Sequence, residues 1–303
     1  MVDPAVASTA IKAFEEFKGR NALTAAQRKN IRDRKERIRR YLADDGWVAP
    51  TAIFGGSHAR RTKVRLPNDA KADVDIYIVL DPSHKSAYGG FFKPPPKQLL
   101  SDIKASLDKK LTTPTVRADS PSVRIRYDDM DVDVVPAFRR HVLFGGGLDI
   151  PYYDDWMIAT PESQGAVFSK LNQKTGYRAV HIMRMLKYWK AVHPTFPLRS
   201  YHLEVLAYHV FSANAPTDYR EAIAGFFEHA QSYVRYAWDD PGGSGNSVSS
   251  YMTSTQRDAA ISMFSTAATR ARAAIDKQTW SAEIAVWRSS GMFGTRFPAY
   301  SST

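Results

Sequence analysis

The hydrophobic period of this chain changes once, near Pro161, and that change limits the folds open to it. Before it, apolar residues come in short alternating runs such as "DVDIYIVL", Asp73 to Leu80, which is the period of a strand. After it they recur at three and four residues, predicting helices over Glu162–Lys174, Tyr177–Val192, Tyr201–Ser212, Tyr219–Ala237 and Ser254–Ile275. The chain of 303 residues is long enough for two such parts. The expected architecture is α+β: a mixed sheet with helices over residues 1–160, then a helical lobe over 161–303. A cleft between two lobes is a common place for a ligand. The segment "DDPGGSGNSVSS", Asp239 to Ser250, reads as the most flexible loop, and there is no internal repeat.

In the front half, Thr24 followed by Gln27 reads as a capping box opening a helix from Ala25 to Ala43. Eight Lys or Arg residues cover it against Asp33 and Glu36, around a narrow stripe of Ile31, Ile38 and Leu42. A strand "TAIFGG" then meets a Gly-Gly-Ser turn, and Asp73–Leu80 is the next strand. Three consecutive prolines rule out regular structure in the loop that follows. A helix over Pro96–Leu111 and strands near Thr115–Ala118, Ser122–Tyr127 and Met130–Pro136 come next. "FGGGLDIPYY" reads as a turn between two further short strands.

A net charge of +11 favours polyanionic partners: nucleotides, nucleic acid or an acidic membrane surface. With 44% apolar residues the chain is no disordered tail. It has no cysteine, hence no disulfide frame and no cysteine zinc site. The first residues lack a secretory pattern, and no run of roughly 18 apolar residues suits a membrane span. A cytoplasmic location is expected.

Asp73 and Asp75 lie two apart on a strand, so both project from one face, and Asp131 and Asp133 repeat the spacing. Carboxylates gathered on one face repel unless cations sit among them, and magnesium takes oxygen ligands. Upstream, Gly55 and Gly56 let a backbone approach a phosphate, Ser57 adds a hydroxyl, and Arg60, Arg61, Lys63 and Arg65 add charge.

The order Gly56-Ser57-x-x-Arg60-x-Thr62, Asp73-x-Asp75 and Asp133-Val134-Val135-Pro136-Ala137-Phe138 resembles the polymerase β-like nucleotidyltransferases. More narrowly it is similar to the oligoadenylate synthase and cyclic GMP-AMP synthase branch. The bacterial members of that branch are the cyclic-oligonucleotide synthases (CD-NTases) of CBASS antiphage defence. "RMLKYWKAVHPTFPLRSYHLEVLAYHVF" fits the branch's lysine helix followed by a Ser-Tyr-x-Leu-Glu start. The resemblance spans about Phe54 to Phe211.

It implies a polymerase β-like core with a helical lobe and the active site between them. Gly56, Ser57, Arg60 and Thr62 would belong to the triphosphate site. Asp73 and Asp75 would bind both metals, Mg²⁺ or Mn²⁺, and Asp133 the one that activates the acceptor hydroxyl. Lys187 would neutralise the β- and γ-phosphates with help from Ser200, and Tyr201 would stack on the donor base. Asp131 matches an acidic position of oligoadenylate synthases, or else supports the metal-binding acids from behind or lies at the surface.

The expected reaction joins NTPs, ATP among them, into a cyclic di- or trinucleotide for a downstream sensing effector. The basic helix Ala25–Ala43 offers a surface for a structured RNA activator. The competing reading is an RNA-tailing or CCA-adding enzyme. A drug-modifying enzyme conflicts with the positive charge, and an inactive binding module conflicts with three intact carboxylates. Without cysteines, the zinc insertion of the animal DNA sensor has no counterpart.

Overall fold

The computed structural model describes residues 6–65, 72–112, 114–141 and 146–302. Strand β1 (Val6–Ala7) precedes helices α1 (Ala10–Arg20) and α2 (Ala25–Asp44). Then come β2 (Thr51–Phe54), the one-turn helix α3 (Gly56–Ala59), β3 (Ala72–Leu80), α4 (Pro82–Lys85) and α5 (Lys97–Asp108). Strands β4 (Thr115–Asp119), β5 (Ser122–Arg126), β6 (Met130–Arg139), β7 (Leu148–Tyr152) and β8 (Asp155–Ala159) close the front half. The back half holds α6 (Pro161–Lys174), α7 (Ala179–Val192), α8 (Ser200–Ala213), α9 (Tyr219–Tyr233), α10 (Ser254–Ile275) and α11 (Trp280–Trp287), then β9 (Ala299–Tyr300).

One seven-stranded sheet runs β2-β3-β6-β5-β4, with β7 beside β6 and β8 beside β7. Strands β3 and β6 are parallel; the other pairs in this sheet are antiparallel. Period two decides its faces. Val74, Ile76, Ile78, Val132 and Val134 are buried with Ile31, Ile38 and Leu42 of α2 and Leu99, Ile103 and Leu107 of α5. Asp73, Asp75, Asp131 and Asp133 therefore share the opposite face. Each buried aliphatic is worth about 1.5–3 kcal/mol. A one-residue slip would trade these for carboxylates, so the register is strongly specified.

The capping box of α2 is present, with Thr24 and Gln27 each accepting from the other's backbone N–H. Much of the helix's charge is spent inside the fold. Lys35 donates to the Ala52 carbonyl at 3.0 Å and sits over the Phe54 ring. Arg34 pairs with Asp129 at 2.7 Å and covers Tyr127, while Arg39 reaches the Ala49 carbonyl. Arg28, Lys29, Arg32, Arg37 and Arg40 stay exposed. Five of the helix's eight cations thus remain at the surface.

The second core joins α6–α11 through Trp189, which meets Phe196, Phe227 and Phe264. Helix α1, absent from the sequence reading, belongs to it. Its Phe14 packs edge-on against Trp287 at 5.0 Å and Phe297 at 4.9 Å. It thus crosses the division expected at residue 160.

Other differences have local causes. The loop after β3 opens on the one-turn helix α4, capped by Asp81 accepting from the Ser83 N–H at 2.9 Å, and only its later part, with the prolines, is irregular. Helix α7 starts at Ala179 because Gly176 and Tyr177 are left-handed, at φ 58° and 64°. Helix α9 stops at Tyr233 because Trp238 folds back and its indole N–H donates to the Tyr233 carbonyl. "LDIPY" is itself a strand, paired with β8 across Tyr153 and Asp154; Phe144 and Gly145 of the expected turn lie outside the described residues. The loop after Asp239 is irregular but pinned. Asp240 accepts from Gln164, Ser244 and the Gly242 N–H at 2.7–2.9 Å, and from the Tyr201 hydroxyl.

Candidate active site

The register of the two parallel strands builds the site. Asp73 pairs with Asp131 and Asp75 with Asp133, so four carboxylates form two adjacent rows. A cleft of about 430 Å³ is lined by Gly56, Ser57, Asp73 and Asp75 from the front half and Lys187, Lys190, Ser200 and Tyr201 from the back half; Asp131 and Asp133 lie on the neighbouring strand and do not line it.

The glycine pair has a reason beyond phosphate approach. Gly55 donates to the Asp75 carbonyl at 2.9 Å, seating the turn on the strand. A Cβ on Gly55 would lie 2.1 Å from the Tyr77 ring. A Cβ on Gly56, whose φ is +50°, would lie 1.8 Å from an Asp75 carboxylate oxygen. Gly56→Ala should therefore push Asp75 aside. A loss of turnover of about a hundredfold is expected, the scale of a misplaced reacting group, with the fold retained by circular dichroism. Near-normal turnover would mean that the contact is dispensable.

Asp75 lies at the cleft floor. Burial, then the charges of Asp73 and Asp133, push its carboxyl up to about 6. Asp73 is exposed; loss of hydration opposes its ionisation, but Lys63, 3.1 Å away, wins and holds it low. Asp133 is buried and held by Arg124 in a bidentate pair at 2.8 and 2.9 Å, with the Ser122 hydroxyl at 3.2 Å. Asp131 keeps one buried oxygen without a partner. Among the described residues, no three carboxylates or imidazoles converge into a ready-made metal cage. Lys63 and Arg124 each engage one acid. The donor set still fits magnesium or manganese, being all hard oxygen, with Asp75 crowded by like charge and Asp131 holding an orphaned oxygen.

The far wall alters the roles drawn from the motif. Arg60, Thr62 and Lys187 are all buried, and all meet Glu204. Arg60 lies 2.8 Å from its carboxylate, Lys187 2.9 Å, and the Thr62 hydroxyl donates at 2.6 Å. Thr62 does not line the cleft. The trio of Arg60, Lys187 and Glu204 leaves one positive charge in excess rather than two free cations. Burial alone would raise the Glu204 carboxyl, but Arg60, Lys187 and the hydrogen bonds hold it down at about 2. Lys190, one turn beyond Lys187, lines the cleft and has no ion-pair partner among the described residues. Tyr201 has its ring against the Arg60 guanidinium at 4.2 Å and its hydroxyl on Asp240. Ser57 and Ser200 open onto the cleft as expected. Glu204, Lys190, Arg124 and Asp240 were not assigned roles from sequence, although a lone Glu inside the apolar run of α8 signals a buried partner.

A mixed sheet with paired carboxylates, facing a helical lobe across a cleft, is the polymerase β-like nucleotidyltransferase fold. Residues 9–172 match the Second Messenger Oligonucleotide or Dinucleotide Synthetase domain. The chain belongs to that family, among the bacterial CD-NTases. It is 25% identical over 180 residues to the CBASS oligonucleotide cyclase CdnC of Escherichia coli strain KTE188, across 58% of this chain and 56% of that protein. Its fold matches Escherichia coli MS115-1 CdnC with ATP at TM-score 0.74 and 19% identity, over 95% of this chain and 99% of the other. It also matches the Vibrio cholerae DncV cyclic AMP-GMP synthase in complex with the linear intermediate 5′ pppA(3′,5′)pG. There the TM-score is 0.76 and the identity 12%, over 97% of each chain. No described helix is long and apolar enough to cross a membrane.

Proposed function

We propose that this chain joins nucleoside triphosphates, ATP among them, into a cyclic di- or trinucleotide second messenger, releasing pyrophosphate, in antiphage defence. The observation that carries this reading is the register of β3 on β6. It sets Asp73, Asp75 and Asp133 on one sheet face beside a cleft whose opposite wall is cationic. The activity named for CdnC and the linear dinucleotide held by DncV support the same reading.

The donor triphosphate lies along Gly56 and Ser57, where the Ser57 hydroxyl donates to it. Lys190 and the net charge of the Arg60–Lys187–Glu204 trio offset its negative charge, and Ser200 adds a donor. The Tyr201 ring stacks on the base, worth about 1–3 kcal/mol. Asp73, Asp75 and Asp133 would hold magnesium or manganese, which when bound would supply the charge that stabilises the α-phosphate and favours ionisation of the acceptor hydroxyl. That hydroxyl gives up its proton to solvent, and its oxygen forms the new bond to the α-phosphorus as the bond to pyrophosphate breaks; a last such transfer within the linear product closes the ring. The product serves a downstream effector. Outward Arg32, Arg37 and Arg40 of α2 offer a strip for a structured RNA activator.

Asp133→Asn tests the division of labour. Pyrophosphate release should fall roughly a thousandfold, the scale of several kcal/mol of lost charge stabilisation, while calorimetry shows NTP affinity largely kept. Equal loss of both would contradict the acceptor-side role of Asp133. Absence of pyrophosphate release by the wild type with any NTP would contradict the activity itself.

A further inference from the structure

Strand β5 carries its own counter-ions for the acidic rows. It pairs antiparallel with β6 so that Arg124 stands opposite Asp133 and Arg126 opposite Asp131. Across the sheet the Asp75 row therefore reads Asp75, Asp133, Arg124. Arg126 lies 4.0 Å from Asp131, whereas Arg124 takes both oxygens of Asp133. A bidentate guanidinium–carboxylate pair is among the stronger charge-assisted contacts. It engages both Asp133 oxygens, so an ion bound at either one competes with the guanidinium for the same charge. The two partners differ in exposure. The Asp133 side chain is 8% exposed and the Arg124 side chain 38%. The acid is fixed in the sheet, while the arginine can move out to water, and the buried carboxylate it leaves then needs another cation.

We infer that Arg124 is a positioning residue that occupies the metal-binding carboxylate Asp133 and must be exchanged for the ion. This rests on the reading of Asp133 as a metal ligand. In the resting protein the pair keeps a buried carboxylate neutralised on the sheet face it shares with Asp75. Ion binding at Asp133 is then weakened by whatever free energy the pair contributes, because the two occupants exclude each other. Release of Arg124 frees a cation beside Arg117, its cross-strand neighbour on β4.

The test is Mn²⁺ binding without nucleotide, read from the electron paramagnetic resonance signal of free Mn²⁺. It compares wild type, Arg124→Gln, Arg124→Lys, Asp133→Asn and the Arg124→Gln/Asp133→Asn double variant. Arg124→Gln should bind Mn²⁺ roughly tenfold more tightly, on the scale of one charge-assisted contact removed. Arg124→Lys, which keeps charge but loses the fork, should fall between Gln and wild type. Both Asp133→Asn proteins should bind equally weakly, erasing the gain. If Arg124→Gln and Arg124→Lys bind no tighter than wild type while Asp133→Asn weakens binding, the exchange is overturned and the metal role of Asp133 stands. If Asp133→Asn changes nothing in either background, the metal role fails and takes the exchange with it.

Discussion

Asp75→Asn should abolish nucleotide joining while leaving a folded protein that is more heat-stable than wild type in the absence of metal. Turnover should drop by about a thousandfold or more, because several kcal/mol of charge stabilisation depend on ions held at this carboxylate. The stability gain follows from the carboxyl's position. Folded, it titrates at about 6, since burial and the charges of Asp73 and Asp133 disfavour ionisation. Unfolded, it titrates near 3.9 or so. The folded state thus holds this proton more tightly, and the contribution of Asp75 to stability falls as pH rises between those values. Below about pH 4 both states are protonated, and variant and wild type should melt together. The gap should open as pH rises toward 6 and persist at 7. Saturating Mg²⁺ should narrow it by stabilising the wild type. A variant that melts below wild type at pH 7 without metal would contradict the crowding of these acids.

Glu204→Gln should be the most destabilising single change in the cleft wall. The amide keeps an acceptor but removes the charge that neutralises Arg60 and Lys187, both buried. Breaking such a group by removing one partner costs about 3–5 kcal/mol. That corresponds to a fall in melting temperature of roughly 10 °C for a protein of this size. The contribution of Glu204 is present above its unfolded value near 4.3 or so and is lost as pH falls toward about 2, where the folded carboxyl titrates. Adding Lys187→Met to Glu204→Gln should recover part of the loss, because one unneutralised cation goes. A Glu204→Gln protein as stable as wild type would mean that the network adds little.

The faces of the sheet were legible because alternation at period two is a local property. "DVDIYIVL" and "DVDVVPAF" each show which side is acidic and which is buried. The capping box at Thr24 was legible for the same reason, as its partner is three residues away. What the residues could not display locally is who neutralises whom. Glu204 meets Arg60 across 144 positions, and Tyr201 meets Asp240 across 39. The Arg124–Asp133 pair spans nine residues and was closer to view. "RIRYDDMDVD" places two arginines and two aspartates at matching alternate positions around a hairpin, a cross-strand pattern that single-strand periodicity does not test. Basic residues of α2 were read as surface because charge on a helix face carries no sign of the carbonyls and rings beneath it. Helix α1 was missed for a related reason: its 11 residues fold onto Trp287 and Phe297, from the far end of the numbering.

Product analysis tests the central claim most directly. Purified protein is incubated with all four NTPs and Mg²⁺ or Mn²⁺, with and without added RNA. The mixture is treated with phosphatase, and whatever survives is identified by mass spectrometry. The account predicts a phosphatase-resistant cyclic di- or trinucleotide that disappears with Asp75→Asn. A ladder of extended RNA with no resistant cyclic species would contradict it and would identify a tailing enzyme instead.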